Sequence, residues 1–119
     1  MKLVGPWISG FTRRTAITMK LLGIPFEHLN LNAYTDKEEV RRYSPMGKVP
    51  ALVLDHGEVL IDSPGIIDVL HEMAGPEKAL IPPSGAPRLK APIYSQTVTG
   101  ASILRLRTSS YFVGCCEAR

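Results

Sequence analysis

Cysteine is nearly absent from this chain: the only two, Cys115 and Cys116, are adjacent. That arrangement is neither a C-x-x-C redox pair nor a spaced set of metal ligands. The loop at residues 5–14 holds no cysteine at all, so thiol–disulfide exchange there has no basis in the sequence. The three histidines, His28, His56 and His71, lie far apart and fall on a strand, a turn and a helix. They read as exposed or partly packed side chains, and no metal site is expected. No apolar run approaches the ~20 residues of a membrane helix. The start, Met1 to Pro6, is a short strand broken by Gly5-Pro6, without the apolar region of a signal peptide, so a cytoplasmic location is expected.

Basic residues are not clustered. Residues 1–83 carry 9 Lys/Arg and 10 Asp/Glu, while residues 84–119 carry 5 Lys/Arg and a single acidic residue, Glu117. The net charge of +3 therefore resides in the last third of the chain. Arg88, Lys90, Arg105, Arg107 and Arg119 are scattered and have no interleaved aromatics. They read as a solvated face, and a nucleic-acid partner is not expected.

What is present is a proline-led hairpin followed by a helix. Ala51 to Leu54 and Val59 to Ile61 read as two strands joined by a turn at Asp55-His56-Gly57, apolar enough for a sheet covered on both faces. Asp62-Ser63 then opens a helix, with Ser63 as the expected N-cap and Pro64 at the first helical position. Ile66, Ile67, Leu70 and Met73 form its expected buried face, and Ala74-Gly75-Pro76 ends it. A helix start beside a polar pair suits a carboxylate, because the first N–H groups lack partners and the helix dipole favours an anion.

Upstream, Leu3-Val4 reads as a short strand. Thr12 to Leu22 reads as a helix with Ala16, Ile17, the stem of Lys20, Leu21 and Ile24 near one face, stopped by Gly23 and Pro25. Phe26 to Leu31 alternates as a half-buried strand, and Asp36 is placed to cap a short charged helix over residues 37–42. Residues 81–85 read as a linker, and a helix from Ala86 toward Arg107 is weakened by Gly100. Periodicity alone supports an α/β unit with a terminal hairpin.

Several ordered stretches carry a resemblance. They are Ser9-Gly10-Phe11-Thr12-Arg13-Arg14, Leu21 to Glu27, Pro45-Met46-Gly47-Lys48, Val49-Pro50-Ala51-Leu52 and Asp62-Ser63. Together, residues 1–83 resemble the N-terminal domain of the glutathione transferase family. The resemblance implies a thioredoxin-like βαβαββα fold that binds glutathione, with residues 84–119 a linker and truncated remnant of the helical C-terminal domain. The stretch Thr108 to Cys116 looks unlike that domain, and a frame-shifted end is one reading of it. The chain also departs from the family at Gly10, where relatives often carry Pro, and at Pro64, which lacks an N–H. Trp7 and Ile8 are bulky for the mouth of the site.

The resemblance assigns roles residue by residue. Ser9 is implied as the hydroxyl that hydrogen-bonds the glutathione sulfur, a role suited to favouring the nucleophilic thiolate over the thiol. Its alternative is a plain turn or helix start, and Thr12 is a rival hydroxyl. Arg13 either stabilises the anion or supports the fold. Val49 is implied to pair its backbone with the cysteinyl part of glutathione ahead of a cis Pro50, the alternative being that Pro50 only begins a strand. Lys48 either reaches the glycine carboxylate or is solvated. Asp62 and Ser63 are implied to hold the γ-glutamyl end, the alternative being a simple helix cap.

In the family, glutathione is a co-substrate added to small electrophiles, and homodimers are among its assemblies. Two other readings stand beside the transferase. One is a non-catalytic glutathione-binding or protein-interaction domain, like stringent starvation protein. The other is an inactive truncated product.

Overall fold

The computed structural model describes residues 1–81 and 85. The expectations for residues 82–84 and 86–119, including the second-domain remnant, lie outside the described residues. Within them the elements run β1 (Lys2–Val4), α1 (Gly10–Leu21), β2 (Glu27–Leu29), α2 (Lys37–Tyr43), β3 (Ala51–Val53), β4 (Val59–Ile61) and α3 (Ser63–Ala74). This is the βαβαββα order expected of a thioredoxin-like domain.

The described strands form one sheet in the order β2-β1-β3-β4. β1 pairs parallel with β2 and antiparallel with β3, and β3 pairs antiparallel with β4. The parallel pair needs a crossover, which α1 supplies. Helices α1 and α3 pack on each other and bury a shared core of Leu3, Ala16, Met19, Leu22, Leu52, Leu54, Ile66 and Leu70. Removing the side chain of a core leucine such as Leu52 leaves a cavity that costs about 2–5 kcal/mol.

The buried face of α1 differs from the expected one. Ile17 and Leu21 are 56% and 65% exposed; Ala16 is buried as expected, and Thr12, Thr15, Thr18 and Met19 complete the buried stripe. Threonine reads as polar in a hydropathy pattern, but it buries readily in a helix when its hydroxyl bonds back one turn. Thr15 Oγ1 donates to the Phe11 carbonyl at 3.0 Å and Thr18 Oγ1 to the Arg14 carbonyl at 2.9 Å. The stripe is therefore set one position aside from where the aliphatic residues alone put it.

The stop of α1 is as expected, and its geometry explains why. Gly23 takes φ +71°, its N–H donates to the Lys20 carbonyl, and the Ile24 N–H reaches the Met19 carbonyl. These two bonds satisfy two of the orphan carbonyls in the last turn of the helix, and the left-handed conformation favours glycine. Three smaller expectations change. Asp36 precedes α2 but makes no cap bond; its carboxylate accepts instead from the Asn32 N–H at 2.8 Å and from Thr35 Oγ1 at 3.1 Å. β4 is an edge strand, half-buried with Ile61 exposed, so the hairpin is not covered on both faces along its length. Met73, expected on the buried face of α3, is exposed.

Candidate functional site

The strand register gathers the site. One row of the sheet runs Leu29, Val4, Ala51, Ile61. Beyond that row the chain continues at Gly5 after β1, at Pro50 before β3, and at Asp62 after β4. Three separate sequence stretches, the Ser9 loop, Val49-Pro50 and Asp62-Ser63, thus meet at one end of the sheet.

The Val49–Pro50 bond is cis. Val49 lies against Gly5, which takes φ +144°. A β-carbon on Gly5 would sit 3.2 Å from the Val49 Cβ and inside contact distance of Thr12 Oγ1. Only glycine lets the strand pass between those two side chains in this conformation. Thr12 Oγ1 itself is buried, and no described residue hydrogen-bonds it.

Ser9 is delivered by a turn. Its N–H donates to the Pro6 carbonyl at 3.0 Å, so Trp7 and Ile8 are the two central residues of a Pro6–Ser9 turn. The Ser9 hydroxyl then caps α1, accepting from the Thr12 N–H at 3.3 Å. The helix begins at Gly10, two residues before its expected start, because this cap terminates it there. A hydroxyl has one donor and two acceptor sites, so capping leaves the Ser9 O–H available to a ligand.

At the second helix start, Ser63 is not the N-cap. Asp62 holds the cap position at φ +70° and ψ 118° without a side-chain cap bond, and Ser63 is the first residue of α3. Ser63 is 1% exposed. Its hydroxyl accepts two hydrogen bonds from one guanidinium, from Arg14 Nε at 3.0 Å and from Arg14 Nη2. Both acceptor sites of the hydroxyl are then used, and its remaining capacity is the O–H. Burial pushes the Arg14 pKa down from the usual arginine value, and the nearby Asp62 carboxylate pulls it partly back. The guanidinium also lies over the Phe11 ring, 5.4 Å from its centroid. The result is a positive group, an oriented hydroxyl and a helix N-terminus converging on one point, which favours a carboxylate.

Among the predicted residues, Ser9, Val49, Pro50, Asp62 and Ser63 come together at this end of the sheet. Lys48 lies next to Val49 with an exposed side chain, and its N–H donates to Ser44 Oγ at 3.2 Å. Arg13 is exposed. Arg14 is the residue the sequence reading missed. No local signal separates it from Arg13; what selects it is its place on the α1 face turned toward α3. His28, expected as an exposed or partly packed strand residue, is half-buried in β2 and makes two contacts that its residue type alone does not announce. Its Nε2 lies 2.7 Å from the Gly5 carbonyl, and its ring stacks on Trp7 with centroids 3.9 Å apart.

Comparison with known proteins agrees with this geometry. Residues 8–73 match the model of the glutathione S-transferase N-terminal domain. The chain is 39% identical over 82 residues to the uncharacterized GST-like protein YibF of Escherichia coli, covering 69% of this chain and 40% of that protein. It is 38% identical over 86 residues to maleylacetoacetate isomerase of Pseudomonas aeruginosa, covering 68% and 40%. Among solved structures, a bacterial zeta-class maleylpyruvate isomerase superposes with a TM-score of 0.69 at 33% identity, over 78% of this chain and 44% of that one. A Methylobacterium radiotolerans glutathione S-transferase in complex with glutathione sulfonate gives 0.71 at 29% identity, over 78% and 43%. The chain thus spans less than half the length of each of these four proteins. Through the domain that carries this site, the chain belongs to the glutathione S-transferase family.

Proposed function

We propose that this end of the sheet binds glutathione and that the chemistry it serves is addition of the glutathione sulfur to a small electrophile. The observation that carries the reading is the Arg14–Ser63 pair at the start of α3. A hydroxyl whose acceptor sites are both taken by a cation can only donate, and a donor at a helix N-terminus calls for an anionic acceptor such as the γ-glutamyl carboxylate. Asp62, exposed beside it, faces the amino end of the same group. The Val49 backbone pairs with the cysteinyl part, and Lys48 reaches the glycine carboxylate. Glutathione bound in the solved structure of a relative supports the choice of ligand.

Ser9 sets the sulfur chemistry. Its O–H, at the positive end of α1, donates to the thiolate and favours it over the thiol. The thiol proton leaves to solvent. The sulfur lone pair then forms a C–S bond at the electrophilic carbon, with departure of a leaving group or protonation of the adjacent carbon. Calorimetry with glutathione on the full chain tests the binding half. Loss of roughly 1.5–3 kcal/mol of affinity in Ser63→Ala is expected for a hydrogen bond to a charged group. Turnover is tested separately, with a generic electrophile and with a maleyl-substituted keto acid, the latter because two relatives are named isomerases of such acids. Binding without turnover would select the alternative of a non-catalytic glutathione-binding domain.

A further inference from the structure

The turn that delivers Ser9 is fastened from below by a single side chain of the neighbouring strand. His28 stands in β2, in register with Leu3 of β1. Its Nε2 donates to the Gly5 carbonyl at 2.7 Å, while the Gly5 N–H donates to the Leu29 carbonyl at 2.9 Å. Both polar groups of Gly5 are thereby tied to β2. Two residues on, Trp7 lies on the His28 ring at 3.9 Å between centroids and 30° between planes. Trp7 is the first central residue of the turn that ends at Ser9, and Ser9 in turn caps α1 through Thr12. The chain of contacts runs without a gap from His28 to the Ser9 hydroxyl. Trp7 is nevertheless 45% exposed, so a ring of this size would sweep through solvent if nothing held it. Nothing else in the core requires a histidine at this position; an aliphatic residue would fill a half-buried strand site equally well.

We propose that His28 is the positioning residue of the Ser9 loop, holding Gly5 by its Nε2–H and Trp7 by its ring face, so that the Ser9 hydroxyl is presented to the sulfur in one geometry. The inference rests on the reading that Ser9 meets the thiol. The two contacts divide the task. The hydrogen bond sets where the loop leaves the sheet and with it the place of Ser9, while the stack holds the exposed Trp7 ring against the strand.

Two substitutions separate the contacts. His28→Gln keeps an amide donor at the distance of Nε2 and removes the ring. His28→Phe keeps the ring and removes the donor. The protein has a single tryptophan, so emission from Trp7 reads the stack directly in the full chain without any ligand. In His28→Gln the emission shifts to longer wavelength and acrylamide quenching about doubles, while His28→Phe stays near the parent. The absorbance of bound glutathione thiolate against pH reads the other contact. In His28→Phe the bound thiol pKa rises by about half a unit relative to His28→Gln, with glutathione affinity within about twofold.

A purely structural role predicts something different: both signals would move together, in proportion to the loss of melting temperature, in either variant. That result overturns the proposal, as does a parent-like emission and thiol titration in both variants. If Ser9→Ala leaves the thiol titration unchanged, or glutathione does not bind, the reading of Ser9 fails on its own. The lock is then decided by the emission and quenching of Trp7 alone.

Discussion

Arg14 in α1 donates from both Nε and Nη2 to the hydroxyl of Ser63 at the start of α3, joining two helix segments 49 positions apart. This pair does structural and chemical service at once. It ties the two helices that cover one face of the sheet, and it turns a hydroxyl into an obligate donor at a helix N-terminus. Replacing Arg14 by Met keeps much of the stem and removes the charge and the donors. Ser63 Oγ is then left buried without its partner, at a cost of about 1–3 kcal/mol in unfolding free energy. Glutathione affinity should fall with it, and by less than additively when combined with Ser63→Ala, since the two residues act through one hydroxyl. A double-mutant cycle by calorimetry checks this; full additivity would mean that the two residues act on the ligand independently, and an unchanged affinity in Arg14→Met would mean that Arg14 serves the fold alone.

Ser9 carries two roles that can be pulled apart. Ser9→Ala removes the α1 cap and should lower stability by about 1 kcal/mol, whereas Ser9→Gly, a tolerable cap residue, should lower it by only a few tenths. Both variants lack the hydroxyl. If the O–H donates to sulfur, both raise the pKa of the bound thiol equally, with glutathione affinity nearly unchanged, although their melting temperatures differ. Equal titration curves in the parent and both variants would reduce Ser9 to a helix cap.

The sequence was informative wherever a local pattern coincided with the tertiary one. Gly23 before Ile24-Pro25 ends α1 because a left-handed residue is required there whatever the helix packs against. The site stretches were legible because each is contiguous: Val49-Pro50 and Asp62-Ser63 are read as pairs. What remained hidden depends on contacts between distant residues. Nothing local marks Arg14 rather than Arg13 as the partner of Ser63; the choice is made by the helix phase once α1 has docked. The aliphatic pattern does not give that phase, because Thr12, Thr15 and Thr18 bury hydroxyl-bearing side chains while Ile17 and Leu21 are left outside. Residue type alone points to Ser63 as the N-cap. Arg14 takes its hydroxyl instead, and the cap position falls to Asp62, which makes no cap bond.

Asp62 is the one described non-glycine residue with positive φ, at +70°. Such a conformation costs of order 1–3 kcal/mol and persists where the surroundings require it. Asp62→Gly relieves that cost and should raise the melting temperature, partly offset by the loss of the carboxylate that faces Arg14. Asp62→Asn tolerates the conformation and removes only the charge. If the carboxylate orients the amino end of glutathione, both variants weaken binding to a similar extent despite opposite or unequal effects on stability. Thermal unfolding and calorimetry on the same samples separate the two. A glycine variant that is more stable and binds as well as the parent would show that Asp62 has no part in the ligand site.

Thr12 and Gly5 pack closely near the Ser9 loop. Thr12 Oγ1 is buried without a hydrogen-bond partner among the described residues, which leaves a desolvated hydroxyl in the domain. Thr12→Val replaces it with a methyl group of nearly the same shape and should stabilise the protein by about 1 kcal/mol. Gly5→Ala should do the reverse, because a β-carbon there presses on Thr12 and approaches the Val49 Cβ to 3.2 Å, at a φ of +144° that alanine rarely adopts. The clash is steric and conformational, so it should persist in the Thr12→Val background, where a methyl group occupies the same place. Urea unfolding of the two single variants and the double variant measures all three effects. A destabilised Thr12→Val would mean that the Thr12 hydroxyl has a hydrogen-bond partner in solution, and that the helix start capped by Ser9 rests on a polar contact as well as on close packing.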